Sequence, residues 1–133
     1  MFDAMQISSS ALTAMRTRIN VIAANLANIE TTRTDTGGPY RRRDVVLAPG
    51  LNKDSDAGSG VHVAEVIEDL SPFRVVSMPG HPDADENGNV TFPNVDINQE
   101  VVSGLTAMRA YEANVAAFEA SKTMISHAMK LIA

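Results

Sequence analysis

The chain has 133 residues, is 44% hydrophobic, carries a formal net charge of −5 and has no cysteine. That length suits one domain with a real core. The composition excludes a disulfide framework, a thiolate metal site and a cysteine nucleophile, and the negative charge argues against nucleic-acid binding, which needs a clustered basic face.

The opening stretch MFDAMQISSS has neither a basic n-region nor a long apolar run, so no ordinary cleaved signal peptide is expected. No stretch approaches the roughly 18 apolar residues of a membrane-spanning helix. The first predicted element is a helix over residues 3–29. Apolar residues recur at Met5, Leu12, Met15, Ile19, Ile22, Leu26 and Ile29, with steps that alternate three and four from Leu12 onward. This is a heptad seam for packing helix on helix, with Ser8 at its one missed position. Asp3 and Gln6 read as a capping box, with Phe2 stapled onto Ile7. The three serines 8–10 weaken the first turns. The polar run Glu30-Thr31-Thr32 ends the helix near Asn28.

Residues 34–95 change character. Gly37-Gly38-Pro39, Pro49-Gly50, Gly58-Ser59-Gly60, Pro79-Gly80 and Asn87-Gly88 are turn signals, and 43–48, 60–67, 73–78 and 89–92 between them read as short strands. The expectation is a small antiparallel β unit with long loops, of which Asn52–Gly60 is the polar, mobile one. Arg41-Arg42-Arg43 is the only basic run; three arginines in a loop read as solvated and are a weak polyanion signal. Asp83-Ala84-Asp85-Glu86-Asn87-Gly88 matches the opening of an EF-hand loop, with oxygen ligands in the first, third and fifth places and Gly in the sixth. The twelfth place holds Asn94 instead of a bidentate Glu, and Pro82 and Pro93 stand where helices should flank the loop. The plainer reading is an acidic turn entering a strand through Asn87-Gly88. A calcium-responsive binding module using Asp83, Asp85 and Asn87 is the alternative functional reading. His62, His81 and His127 lack metal-site spacing. No phosphate-binding, dinucleotide or nucleophile-elbow pattern is present, and no acid stands paired with a base. Neither an enzyme, a cofactor nor a small-molecule substrate is expected.

The last predicted element is a helix over residues 96–132. Counting four and three alternately from Ile97 gives Val101, Gly104, Met108, Tyr111, Val115, Phe118, Lys122, Ile125, Met129 and Ile132. Gly104 permits close approach, Leu105 widens the stripe, and Lys122 carries its ammonium to water. Asp96 and Gln99 form a second capping box, Pro93 directs the chain into it, and Lys130 suits a helix C-terminus.

At 1.5 Å per residue these helices are about 40 Å and about 55 Å long. A compact globule of this size has a radius of gyration of about 14 Å. The helices therefore project from the β unit and pack as a pair. The fold class is α+β: an N-terminal helix in 1–32, a β-rich segment in 33–95 and a C-terminal helix in 96–133. The flanks of both helices are rich in alanine, which lets further helices approach, and exposed apolar stripes of this length mark interaction surfaces. SALTAMR at 10–16 returns as SGLTAMR at 103–109. Similar knobs near both ends suit repeated neighbours, and self-contacts that do not close build a helical filament; chance similarity between two alanine-rich helices is the other reading. The residues expected to form the assembly interface are Leu12, Met15, Ile19, Ile22, Leu26, Ile29, Val101, Leu105, Met108, Tyr111, Val115, Phe118, Ile125 and Met129.

Four stretches carry a resemblance: SSALTAMRTRINVIAANLAN at 9–28, NIETTRTDTGGPYRRRDVV at 28–46, GHPDADENGNV at 80–90 running through FPNVDI at 92–97, and MRAYEANVAAFEASKTM at 108–124. On these, over nearly its full length, the sequence resembles the flagellar axial proteins and, through the second and third stretches, the proximal rod proteins among them. Glu30 departs from the family pattern, and Ile97–Gly104 is less typical of it. The resemblance implies a structural, non-enzymatic member of the bacterial flagellar basal body. Its terminal helices would form the inner tube and its middle segment would decorate that tube. It further implies export through the flagellar type III apparatus without signal cleavage. The implied partners are other proximal and distal rod proteins, export-gate and membrane-ring components at the rod base, and rod-capping or wall-digesting enzymes. The implied function is transmission of torque to hook and filament, with the Asp83–Gly88 loop a structural turn.

Overall fold

The computed structural model describes residues 2–50 and 60–132, in the order α1 (Phe2–Ala27), β1 (Arg43–Pro49), β2 (Val61–Glu68), β3 (Arg74–Ser77), β4 (Asn89–Phe92) and α2 (Ile97–Ile132). The architecture is α+β, a helix pair with a β-rich insertion. The expected loop at Asn52–Gly60 lies outside the described residues but for Gly60.

Helix α1 begins at Phe2, ahead of its expected cap. Asp3 sits inside the first turn, where its charge favours the positive helix end. Phe2 and Ile7 are both exposed, so the expected staple between them is not formed. The helix ends at Ala27, and the Asn28 side-chain amide donates back to the Ala24 carbonyl at 2.8 Å. Two stripes of α1 are covered. Met15, Ile19, Ile22 and Leu26 face α2 as the seam predicts. A second stripe of small and polar residues faces the β insertion. Ala14 is fully buried, Ser10 Oγ accepts from the Val61 amide at 3.0 Å, and the Arg18 guanidinium donates to the Val45 carbonyl at 3.3 Å. Gly60 makes that docking possible. Its φ of +92° is costly for a side-chain-bearing residue, and a Cβ there would collide with Ser10 Oγ.

The small antiparallel β insertion consists of two ribbons. β1 pairs antiparallel with β2, with a bulge between Val46 and Leu47, and β3 pairs antiparallel with β4. A lone two-stranded ribbon is marginal in water, and each ribbon leans on other parts of the chain. Val45 of β1 is buried against the α1 side, while Val90 and Phe92 of β4 are buried with Pro93 and Val95.

Helix α2 starts from the expected cap, with the Gln99 amide donating to Asp96 Oδ1 at 3.1 Å. It packs antiparallel on α1 and on no strand: Asn25 meets Glu100, Ile22 meets Gly104, and Ala107 sits against Met15 and Ile22. At 36 residues against 26, α2 outruns its partner. Its buried stripe corrects the expected one. The inward residues are Glu100, Gly104, Ala107, Tyr111, Asn114, Phe118, Ser121 and Ile125. Gly104, Tyr111, Phe118 and Ile125 were anticipated. At the alternate positions the stripe falls one residue earlier, on Glu100, Ala107 and Ser121 in place of Val101, Met108 and Lys122, while Asn114 and Val115 are both half-buried. Val101, Leu105, Met108 and Met129 are exposed, Leu105 at 56% and Met108 at 50%. The reason is steric. Two heptad phases one residue apart share half their positions, and the phase with glycine, alanine and serine inside lets the helix axes approach most closely.

Candidate assembly interface and polar junction

Where α1, α2 and β1 meet, the chain buries a polar cluster. The loop after α1 turns sharply through Gly37 and Gly38, at φ +80° and +77°, and returns Tyr40–Arg43 to the side of Asn25. Asn25 has no exposed surface. Its side-chain amide donates to the Arg43 carbonyl at 2.8 Å and to Glu100 Oε2 at 3.1 Å. Its Oδ1 accepts from the Arg43 amide and from the Tyr40 hydroxyl, both at 3.0 Å. Glu100 is 0% exposed and receives Arg42 Nε on its other oxygen. Arg42 reaches Asp69 at 3.5 Å, and its backbone amide donates to Asn94 Oδ1 at 2.9 Å. Asn94 donates in turn to the carbonyls of Asp69 and Ser71. Among the described residues no buried side-chain polar atom is left unpaired.

The electrostatics follow from this packing. Burial by itself would lower the Arg42 pKa, but the hydrogen bond and charge of Glu100, helped by Asp44 and Asp69, more than offset it and raise the pKa. Burial raises that of Tyr40. The Ser71 hydroxyl and amide, then Arg42, hold Asp69 below the usual carboxylate range.

This cluster corrects the reading of Arg41-Arg42-Arg43 as a solvated loop. Arg42 is buried in the ion pair. Arg41 stacks over the Phe73 ring at 4.2 Å and donates to the Asp69 carbonyl, and Arg43 lies 5.7 Å over Tyr40. Sequence reasoning missed Asn25, Tyr40, Arg42, Asp69, Asn94 and Glu100 as a group. The one available signal was an asparagine inside the aliphatic run INVIAANL; its partner Glu100 lies 75 positions away.

The carboxylates of the calcium-like loop turn to separate partners. Asp83 accepts from the Thr32 hydroxyl at 2.7 Å and pairs with Arg33, which together hold its pKa down, the Thr32 bond first. Asp85 Oδ1 accepts from the amides of Asn87 and Asn89 at 2.9 and 2.8 Å, closing the turn into β4. This is the geometry of a structural turn tied to the segment after α1. Among the described residues no three His, Asp or Glu side chains gather as a metal site, and no helix is long and apolar enough to cross a membrane.

What remains open is apolar. An exposed apolar stripe of Ile97, Val101, Leu105 and Met108 runs along the first turns of α2, and Met124, Met129, Leu131 and Ile132 are separately exposed toward its C-terminal end. An open groove of about 430 Å³ between α1, α2 and β1, edged by Arg18, Val21, Val102 and Thr106, lies beside this stripe. The repeated LTAMR stretches take different roles. Both bury their alanine, Ala14 under the β1–β2 ribbon and Ala107 against α1, but Met15 points inward while Leu105 and Met108 point outward.

A helix pair with a decorating β insertion, its polar groups spent internally and its outer helix face left apolar, is the design of a structural subunit built to be covered by others. Residues 5–33 match the family described as flagella basal body rod protein, and residues 86–131 the flagellar basal body rod FlgEFG protein C-terminal family. Among similar proteins, the flagellar basal-body rod protein FlgC of Borreliella burgdorferi is 38% identical, covering 99% of this chain and 97% of its own. Those of Bacillus subtilis and Escherichia coli O6:H1 are 39% and 41% identical, each covering 98% of this chain and 97% of its own. The chain belongs to the FlgC family of flagellar basal-body rod proteins.

Proposed function

We propose that this chain is a mechanical subunit of the bacterial flagellar basal-body rod. Its axial parts are 1–32 and 96–133, with 33–95 as decoration. It assembles helically with copies of itself and with other proximal and distal rod proteins, meets export-gate and membrane-ring components at the rod base, and transmits torque. In this reading it reaches the periplasm-spanning rod by flagellar export without a cleaved signal peptide. The interface divides into two parts. Leu12, Met15, Ile19, Ile22 and Leu26, with Tyr111, Phe118 and Ile125, stiffen the pair from within, while Val101, Leu105, Met108 and Met129 meet neighbours. Ile29 and Val115, half-buried, lie at the margin.

One observation carries this reading: the apolar stripe Ile97, Val101, Leu105 and Met108 of α2 is not covered among the described residues, and exposed apolar stripes mark interfaces. Rigidity follows from the small residues at the seam, because close-packed interiors transmit strain with little give. The test replaces Leu105→Asp and Met108→Asp together and returns the variant to a flagellated strain lacking its own copy. The purified variant keeps the wild-type helical circular dichroism while the cells lose motility and rod assembly. Normal swimming would sink the proposal.

A further inference from the structure

We infer that Asn25, Arg42 and Glu100 form a register lock, the one point that decides how α2 slides along α1. The seam elsewhere is permissive. Outside this cluster both helices repeat in heptads, and both carry LTAMR. A slip of one heptad moves α2 by about 10 Å and again sets apolar residues of the two helices against each other, with Tyr111 or Ile97 in the place of Gly104 against Ile22. Such seams do not specify register by packing alone, and a buried polar residue is the device that does.

Glu100 is placed to act this way. Every other side-chain hydrogen bond of α2 returns to its own helix: Thr106 to Val102, Asn114 to Ala110, Ser121 to Ala117 and Thr123 to Glu119. Among the described residues, Glu100 alone bonds outward, to Asn25 on α1 and to Arg42 on the approach to β1. In a slipped register Glu100 would leave both partners, and the buried Asn25 and Arg42 would lose their acceptor. An unpaired buried charge is far costlier than a rearranged apolar contact. A single alignment is therefore selected. Because Arg42 and the Arg43 backbone belong to the inserted segment, the same cluster also orients the β1–β2 ribbon on the helix pair. The consequence for the rod rests on the function proposed above: register sets how far the apolar end of α2 projects beyond Phe2, and so which turns neighbours meet.

The chain has no native cysteine, so spin labels can be placed cleanly. Asn20→Cys and Arg109→Cys, both exposed, report the helix alignment by pulsed electron resonance distances. The otherwise unaltered chain gives one narrow distance distribution. The apolar triple variant Asn25→Leu, Arg42→Met, Glu100→Leu keeps its helical circular dichroism but broadens that distribution or adds a population displaced by about 10 Å, one heptad. A single narrow distribution at the original distance overturns the lock. Loss of helix in the triple variant overturns it too, since the cluster would then be a requirement of folding and not of register. Neither result bears on the rod assignment, which is decided by the motility of the Leu105→Asp, Met108→Asp variant.

Discussion

Helix α1 is covered along two stripes by its own chain, through Met15, Ile19 and Ile22 toward α2 and through Ser10, Ala14 and Arg18 toward the β1–β2 ribbon. Among the described helices and strands, α2 packs only on α1, along one stripe that includes Gly104, Ala107, Tyr111 and Ser121, and it leaves Val101, Leu105 and Met108 exposed. The two helices have similar composition and a nearly repeated heptapeptide, yet one is an internal strut and the other an outward surface. The difference teaches that hydrophobic spacing marks where a helix packs without saying against whom. On α2 the stripe facing α1 mixes small residues such as Gly104 and Ala107 with Tyr111 and Phe118, while Val101, Leu105 and Met108 stay exposed.

The sharpest way to break this arrangement is at the point where the helices meet the insertion. Glu100→Ala leaves Arg42 and Asn25 buried without their acceptor, and urea denaturation is expected to register a loss of about 3–5 kcal/mol. Next comes the second contact of α1. Gly60→Ala forces a side chain into a positive-φ position against Ser10, with an expected loss of about 2 kcal/mol in the same assay. The contrast within α2 is a finer probe. Ala107→Leu overfills the seam and costs about 1–3 kcal/mol, whereas Leu105→Asp, two residues away on the exposed face, stays within about 0.5 kcal/mol of the parent. If the two substitutions cost the same, the inward and outward faces have been assigned to the wrong residues.

The smallest effect is acid sensitivity. Asp69 and Asp83 have folded-state pKa values held below the ordinary carboxylate value, so each adds stability that is fully present above about pH 4. That stability is lost as pH falls through the lowered values. A urea midpoint followed against pH should be flat on this account near neutrality and decline below about pH 4. Asp69→Asn and Asp83→Asn should each flatten part of the decline.

Much of the secondary structure was legible because its signals are local. The strand expected at 89–92 is β4, and that at 43–48 ends one residue short of β1. Glycine, proline and asparagine mark turns by their own backbone preferences, whatever the fold around them. The cap of α2 needed only Asp96 and the Gln99 amide, three positions apart. The expected cap of α1 did not form, because the helix already includes Phe2 and Asp3 lies inside its first turn. The candidate interface was half legible. Met15, Ile19, Ile22 and Leu26 pack where the heptad put them, while the α2 stripe turned by one residue at several alternate positions.

The amino-acid sequence by itself determined that there would be two long amphipathic helices, short strands between them, and more apolar helical surface than one chain can cover. These follow from periodicity and turn chemistry, which act over a few residues. Only the tertiary structure decided which heptad phase of α2 lies inside, that the strands form two ribbons, and that Arg42 is a buried partner and not a solvated charge. The physical reason is that the cost of a buried charge depends on what stands opposite it. Asn25, Arg42 and Glu100 are far apart along the chain, and nothing local to any one of them encodes the other two.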